Sequence, residues 1–301
     1  MEIIYIYLYY SQLYIAPANL SRPEGSLICY TEYMNLKELN SKNKIPTLGF
    51  GTWQLKPIKE AYSSVLSAVE DGYRHIDTAH IYFNEGSVGK AILDSKIKRE
   101  DMFIATKLWN WDHHKVEESY AKSLKKLKVD YIDLYLIHYP VSKTRIDAWK
   151  AMETIYKEKR VKSIGVSNFT IKHLEELMSN TEIVPAVNQV EFHPFLYQKD
   201  LLDFCNKHGI ALEAYSPLSH GKRLEDNTLL DIAKAHGKTV PQVMIRWSLQ
   251  HGNIVIPKSR NPVRIKQNFE VFDFELSENE MMTINNLNEN YRTCWDPTNT
   301  P

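Results

Sequence analysis

Cysteine is scarce in this chain. Cys29, Cys205 and Cys294 are three in 301 residues, far apart and in no metal-ligand spacing. That argues against a disulfide framework and offers no metal site, and it fits a reducing compartment, so a cytoplasmic protein is expected. Net charge is missing too: 37 acidic and 37 basic side chains cancel. No overall field therefore draws the chain to nucleic acid or a membrane surface. No apolar run reaches the roughly 18 residues needed to span a bilayer. The nearest, Ile3 to Ile15, carries Tyr5, Tyr7, Tyr9, Tyr10 and Tyr14. Read as a signal peptide it has Glu2 in the wrong place, and Pro17 sits awkwardly in Ala16-Pro17-Ala18. Residues 1–33 are read as a poorly ordered extension, or as residues ahead of a start at Met34, and 34–301 as one domain. A glycine-rich nucleotide turn is also lacking. Gly49-Phe50-Gly51 has no third glycine, and Gly86-Ser87-Val88-Gly89-Lys90 lacks the Walker spacing.

What is present is an ordinary globular composition, 43% apolar, with a strongly alternating pattern. Leu36 to Leu39 and Ile45 to Leu48 read as a small hairpin ahead of Gly49-Phe50-Gly51-Thr52-Trp53. Ala61, Val65, Ala68 and Val69 recur at helical spacing until Gly72. Short apolar strands follow at Arg74–Asp77, Phe103–Lys107, Ile132–His138, Ser163–Val166, Ala186–Val190, Ile210–Tyr215 and Asn253–Ile256, with helical patterns between them. Ile132 to His138 is almost wholly apolar, as a strand buried on both faces must be. A helix starts at Pro262, and another at Ser277, where Ser277 and Glu280 form a capping box. Eight strands alternating with helices every roughly 25 to 30 residues point to an α/β fold, a (β/α)8 TIM barrel with an N-terminal β-hairpin, rather than an open sheet.

Side chains at the C-terminal ends of barrel strands converge on one mouth. Those ends carry Gly51-Thr52-Trp53, Asp77 with Tyr82, Lys107, His138, Ser167-Asn168, Gln189, Tyr215-Ser216 and Lys258-Ser259. An acid, a phenol, an ammonium and an imidazole together make a proton-transfer set. A phenol near pKa 10 is a poor acid at neutral pH unless a cation favours the phenolate. Lys107 is expected to be that cation, held by Asp77, with His138 orienting a substrate oxygen. The remaining histidines read as structural: His208-Gly209, His236-Gly237 and His251-Gly252 each end a helix, and His113-His114 has no acid at ligand spacing. Asn261-Pro262 caps a helix with Lys258 and Arg264 beside it, an anion site suited to a monophosphate.

These segments carry a resemblance. Gly72 to Tyr82, Ile104 to Trp109, Tyr131 to His138, Ile164 to Phe169, Asn188 to Glu191 and Ile256 to Ser259, in that order from about Met34 to the end, resemble the aldo-keto reductases in their compact, short-loop form. The resemblance implies NADPH-dependent reduction of aldehydes and some ketones without a metal, by a monomer acting on a small carbonyl compound. Tyr82 would be the general acid, with Asp77, Lys107 and His138 completing the catalytic set. Ser167, Asn168 and Gln189 would hold the nicotinamide carboxamide, and Tyr215 would stack on its ring. Gly51, Thr52, Trp53, Ser216, Pro217 and Leu218 would lie along the cofactor. Lys258, Ser259 and Arg264 would grip the 2′-phosphate, with Gln267 and Asn268 on the adenine. Trp53, Trp109 and Tyr139 would line the substrate pocket beside Tyr82 and His138. Ser219 to Asp226 and the tail from Tyr291 are short, so the pocket should be broad and open, with Cys294 and Trp295 at its rim. Two other readings remain: a Schiff-base aldolase on Lys107, and a cofactor-binding regulatory module without turnover.

Overall fold

The computed structural model describes residues 35–300; the expectations for residues 1–33 lie outside that range. Strands β1 (Leu36–Glu38) and β2 (Lys44–Pro46) pair antiparallel as the expected hairpin. Eight further strands run parallel and side by side: β3 (Phe50–Gly51), β4 (His75–Asp77), β5 (Phe103–Leu108), β6 (Ile132–Ile137), β7 (Val161–Ser167), β8 (Val187–Glu191), β9 (Ala211–Tyr215) and β10 (Ile254–Val255). The last meets the first. Val255 N donates to Thr47 O at 2.8 Å, Gly49 N to Val255 O at 2.9 Å and Gly51 N to Pro257 O at 3.0 Å. A parallel bridge joins Leu48 to Val255. The expected barrel is therefore the fold found.

Helices α1 (Lys59–Glu70), α2 (Glu85–Asp94), α3 (Val116–Leu127), α4 (Arg145–Lys157), α5 (Ile171–Asn180) and α6 (Lys199–Lys207) connect successive strands. The pair α7 (Asn227–Ala235) and α8 (Val240–Gln250) leads from β9 to β10, and α9 (Pro262–Phe269) and α10 (Glu278–Asn285) follow. The three expected helix ends are found: His208, His236 and His251 are C-caps, and Gly209, Gly237 and Gly252 take the left-handed φ of 67°, 61° and 78° that lets the chain turn away. Ser277 and Glu280 form their capping box.

Two cores follow from the strand period of two. Outward residues such as Ile104, Tyr135, Ile137, Ile164 and Val190 pack against the helices. Inward residues Phe103, Ala105, Leu134, Leu136, Val187, Ala211 and Ile254 fill the barrel, joined by Leu39 and Ile45 of the hairpin. The inward rows of four strands then turn polar toward their C-terminal ends, and there the chemistry lies.

Candidate active site

On β5 the inward row runs Phe103, Ala105, Lys107. Lys107 inherits a fully buried position next to Asp77 of β4. Its Nζ donates to Asp77 Oδ1 and Oδ2, both at 2.7 Å, and to Thr78 O at 2.8 Å. An ammonium has three N–H groups, and here three acceptors stand around it. The expected ion pair is formed.

Tyr82 ends a one-turn 3-10 helix, His80–Tyr82, that follows β4; Phe83, at φ 55°, turns the chain away. The Lys107 ammonium lies 5.1 Å from the Tyr82 ring centre, against the ring face rather than on its hydroxyl. The acidity of the phenol differs from the sequence expectation. Burial, with Asp77 the next contributor, raises it well above the ordinary tyrosine value. Lys107 has its N–H groups committed to Asp77 and Thr78 and lends Tyr82 none. The phenol is thereby kept protonated.

His138 follows β6, its ring 5.6 Å from that of Tyr82 and 4.8 Å from that of Trp109. Burial, with the charge of Lys107, lowers it well below the ordinary histidine value, so the ring is neutral. Nδ1 is enclosed without a partner.

The next strand ends form a connected layer. Asn168, in the left-handed region at φ 64°, donates from Nδ2 to His138 O at 2.9 Å and Ser167 Oγ at 3.1 Å. The Tyr215 hydroxyl donates to Asn168 Oδ1 at 2.7 Å, and Ser167 Oγ donates to Gln189 O at 2.9 Å. Gln189 Nε2 donates to Asp77 Oδ2 at 2.9 Å and to Glu213 Oε2 at 2.7 Å. Glu213 and its neighbour His75 were not anticipated from sequence. Each sits mid-barrel two residues before a mouth residue, Tyr215 or Asp77. The period of two that located those would have located these as well.

Around this layer, Thr52 N donates to Asp77 O at 3.0 Å. A methyl on Gly51 would sit 3.0 Å from Ile256 O and 3.8 Å from Lys258 Cβ, so Gly51 serves the close seam between β3 and the chain after β10. Ser216, Pro217 and Leu218 lead into a one-turn helix at Ser219–Gly221. His220 lies 5.4 Å from the Trp53 ring, with its Nε2 3.0 Å from Ser216 Oγ and 3.2 Å from Cys294 Sγ. Glu191 anchors the tail, accepting from Thr293 N at 2.7 Å and Cys294 N at 3.1 Å.

Trp109 packs 5.6 Å from Trp111 and 6.3 Å from Trp295, forming an aromatic rim in which Trp295 is 70% exposed. Tyr139 contributes its ring, 6.4 Å from that of Trp295. Its hydroxyl, however, faces the tail, donating to Asp296 O at 3.3 Å and lying 3.1 Å from Thr300 Oγ1. His113, half of the histidine pair, lies 2.9 Å from Thr144 Oγ1 through Nδ1.

Beyond the seam, Lys258 and Arg264 are exposed, Ser259 and Gln267 half-buried and Asn268 buried. Desolvation, and then the charge of Arg260, lowers Lys258 below the ordinary lysine value. Asn261 caps α9, its Oδ1 accepting from Val263 N at 2.9 Å and Arg264 N at 3.4 Å. Two amides at the expected anion site are thus already engaged, and Lys258 and Arg264 are its exposed cations.

Comparison with known proteins agrees with this geometry. The model of the aldo/keto reductase family matches residues 47–289. A glyoxal reductase of Bacillus subtilis is 46% identical over 269 residues, covering 89% of this chain and 98% of the relative. The structure of an aldo-keto reductase from a deep-sea metagenome library superposes with a TM-score of 0.85 at 48% identity, covering 87% and 98% of the two chains. A Bombyx mori aldo-keto reductase in complex with NADP superposes at 0.81 with 38% identity, covering 86% and 94%. A barrel whose strand ends gather Asp77, Tyr82, Lys107 and His138, matched over this length and identity, belongs to the aldo/keto reductase family of oxidoreductases.

Proposed function

We propose that the protein reduces aldehydes and some ketones to alcohols with NADPH, Tyr82 supplying the proton to the carbonyl oxygen. The observation that carries this is the meeting of Tyr82 and His138 rings at 5.6 Å over the buried Lys107–Asp77 pair. When bound, the reduced nicotinamide supplies the hydride. A phenol held protonated by burial can give up its proton only where negative charge develops on a nearby oxygen, which is what a general acid must do. Lys107 lies against its ring, where a cation offsets the phenolate as it forms. Neutral His138 donates from Nε2 to the same oxygen and fixes its angle.

The residues fit the dinucleotide by their chemistry. Gln189 has both amide N–H groups turned to carboxyl oxygens of Asp77 and Glu213, leaving its carbonyl oxygen to accept from the carboxamide amine. Asn168 and Ser167 stand beside it, and Tyr215, tied by its hydroxyl to Asn168, offers a held ring for stacking. Lys258, lowered by desolvation and Arg260, is a cation that an anion would relieve. With Ser259 and Arg264 it is assigned to the 2′-phosphate, hence NADPH over NADH, and Gln267 and Asn268 are assigned to the adenine. Thr52, Trp53 and Ser216 to Leu218 border the path between these ends. Trp109, Trp111, Tyr139 and Trp295 give an aromatic rim open to flat or apolar carbonyl compounds. The glyoxal reductase likeness adds small dicarbonyls to the panel worth testing. All these groups come from one chain, so the monomer is taken as the working unit.

The aldolase reading loses its footing. Lys107 is fully buried with its N–H groups bound, and a Schiff base would need that amine free. The test is Tyr82→Phe, assayed by NADPH consumption over a carbonyl panel and by fluorescence quenching. Turnover should fall about 10²–10⁴-fold with cofactor binding retained; a variant keeping most of its rate removes the acid assignment. Wild-type quenching without turnover on any carbonyl would favour the regulatory module instead.

A further inference from the structure

Inside the barrel, below the catalytic layer, His75, Glu213, Gln189 and Asp77 form one line. His75 Nε2 lies 3.3 Å from Glu213 Oε1. Glu213 Oε2 accepts from Gln189 Nε2, which also donates to Asp77. All four side chains are buried. We infer that Glu213 is a positioning residue for the cofactor: as a neutral carboxylic acid bridging His75 and Gln189, it fixes the orientation of the Gln189 amide so that only a carbonyl oxygen is offered to the nicotinamide carboxamide.

A primary amide can flip, exchanging an acceptor for donors at nearly equal shape. At Gln189 the flip is blocked because two carboxyl oxygens, from Asp77 on one side and Glu213 on the other, both require the NH₂. Asp77 alone would leave one N–H without a buried partner. The neighbours decide the protonation state of Glu213. The ionisable groups facing it are His75 and Asp77 from β4 and Lys107 from β5, with the Tyr82 phenol beyond Asp77; β8 presents Gln189, and β10 pairs with it through Ile254 and has no ionisable side chain. Lys107 is already paired with Asp77. A second carboxylate would be a lone charge in a dry interior, and burial followed by the charge of Asp77 pushes Glu213 up to about 8. Burial, with Lys107 adding, lowers His75 to about 3, so the ring is neutral.

The proton has a natural place. Neither a His75 nitrogen nor Glu213 Oε1 makes a well-aligned hydrogen bond, but the backbone group acting on the ring is that of Pro46, which can only accept. With its N–H toward Pro46 the ring would keep a lone pair at Nε2, 3.3 Å from Glu213 Oε1, to receive the acid proton. The ring is also held from the side: a methyl on Gly49 would fall 2.4 Å from His75 Nδ1, so only glycine leaves room for it. Sequence explains why the line is easily overlooked. Glu213 interrupts the strand Ala211-Leu212-Glu213-Ala214-Tyr215 on the inward face, two residues below Tyr215.

This rests on the cofactor reading above, and the experiment separates the two. Binding of NADP⁺ and of its 3-acetylpyridine analogue, in which a methyl replaces the carboxamide amine, is followed by tryptophan fluorescence in the wild type, E213Q and E213L. The wild type should prefer NADP⁺ by about tenfold or more, a buried acceptor losing its donor. E213Q, which reproduces the neutral acid's acceptor and donor, should keep most of that preference. E213L should lose it, because the freed amide can turn. Preference retained in E213L overturns the positioning role, and equal loss in E213Q and E213L overturns the neutral bridge. A wild type that binds neither dinucleotide sinks the cofactor reading and this inference together.

The second readout is unfolding of the free protein between pH 5 and 9. The folded state holds a proton on Glu213 that the unfolded chain releases near 4.5. The stability it contributes is therefore full below that value and is lost as pH rises toward about 8. E213Q should show a shallower decline over the same range; parallel curves would mean that Glu213 is ionised in the fold and would overturn the inference.

Discussion

The two ends of the barrel are built from the same strands and differ in how their polar groups are spent. At the N-terminal end the hairpin plugs the floor with Leu39 and Ile45, and its polar side chains find main-chain or hydroxyl acceptors. Lys37 donates to Gly252 O, Asn40 to Pro185 O and Asn43 to Ser163 Oγ, while Ser41 pairs with Ser163. At the C-terminal mouth, Thr52 Oγ1, Trp109 Nε1 and His138 Nδ1 are buried without partners, and Trp53, Trp111 and Trp295 stand exposed. A polar atom left unpaired costs about 1–3 kcal/mol, and large aromatics are seldom left in water. The hairpin is arranged for stability, and the mouth leaves Thr52 Oγ1 and Trp109 Nε1 unpaired beside exposed aromatics.

Four substitutions would sharpen or break this contrast. The largest effect is expected from Lys107→Met, which joins both ends of the argument. Turnover should fall at least about a hundredfold with loss of the cation, and stability by about 3–5 kcal/mol because Asp77 is left buried without its partner. Urea unfolding beside steady-state kinetics checks both, and an unaltered rate would detach Lys107 from the chemistry. On the floor, Leu39→Ala should cost about 2–5 kcal/mol by leaving a cavity, with kcat unchanged at temperatures where the protein stays folded. A changed kcat would mean the two ends are coupled. At the mouth, Lys258→Ala should weaken NADPH by about tenfold and NADH far less, with no change in unfolding. Equal losses for both dinucleotides would remove the 2′-phosphate assignment. The smallest effect belongs to Thr170→Ala, which deletes the cap that accepts from His173 N at the start of α5. About 1 kcal/mol of stability should go, and the kinetics should not move.

Much of this was legible in advance because it depends on period and order. Apolar alternation located the parallel strands, Gly after His marked three helix ends, and Ser277 with Glu280 marked another. Reading strand ends brought Asp77, Lys107 and Gln189 to one place, and hydrogen bonds join them there. Glu213 and His75 are not marked by strand ends, because the polar layer extends one residue pair deeper than Tyr215 and Asp77. Trp111 has no such signal, because an exposed tryptophan in the one-turn helix Asn110–Asp112 follows no period. The turn of the Tyr139 hydroxyl toward the tail has no local signal either, because its partner Thr300 is 161 residues away in sequence.

The sequence by itself determined which residues face inward, how many strands close the barrel and which chemical groups share a mouth, since those follow from covalent spacing and a period of two. Only the tertiary structure decided how the groups behave. It turned the Lys107 N–H groups toward Asp77 and away from Tyr82, raised the phenol's pKa by burying it, and oriented the Gln189 amide between two carboxyl groups. Those outcomes depend on local dielectric and on hydrogen-bond partners brought together from distant strands, and neither is a property of any stretch of chain taken alone.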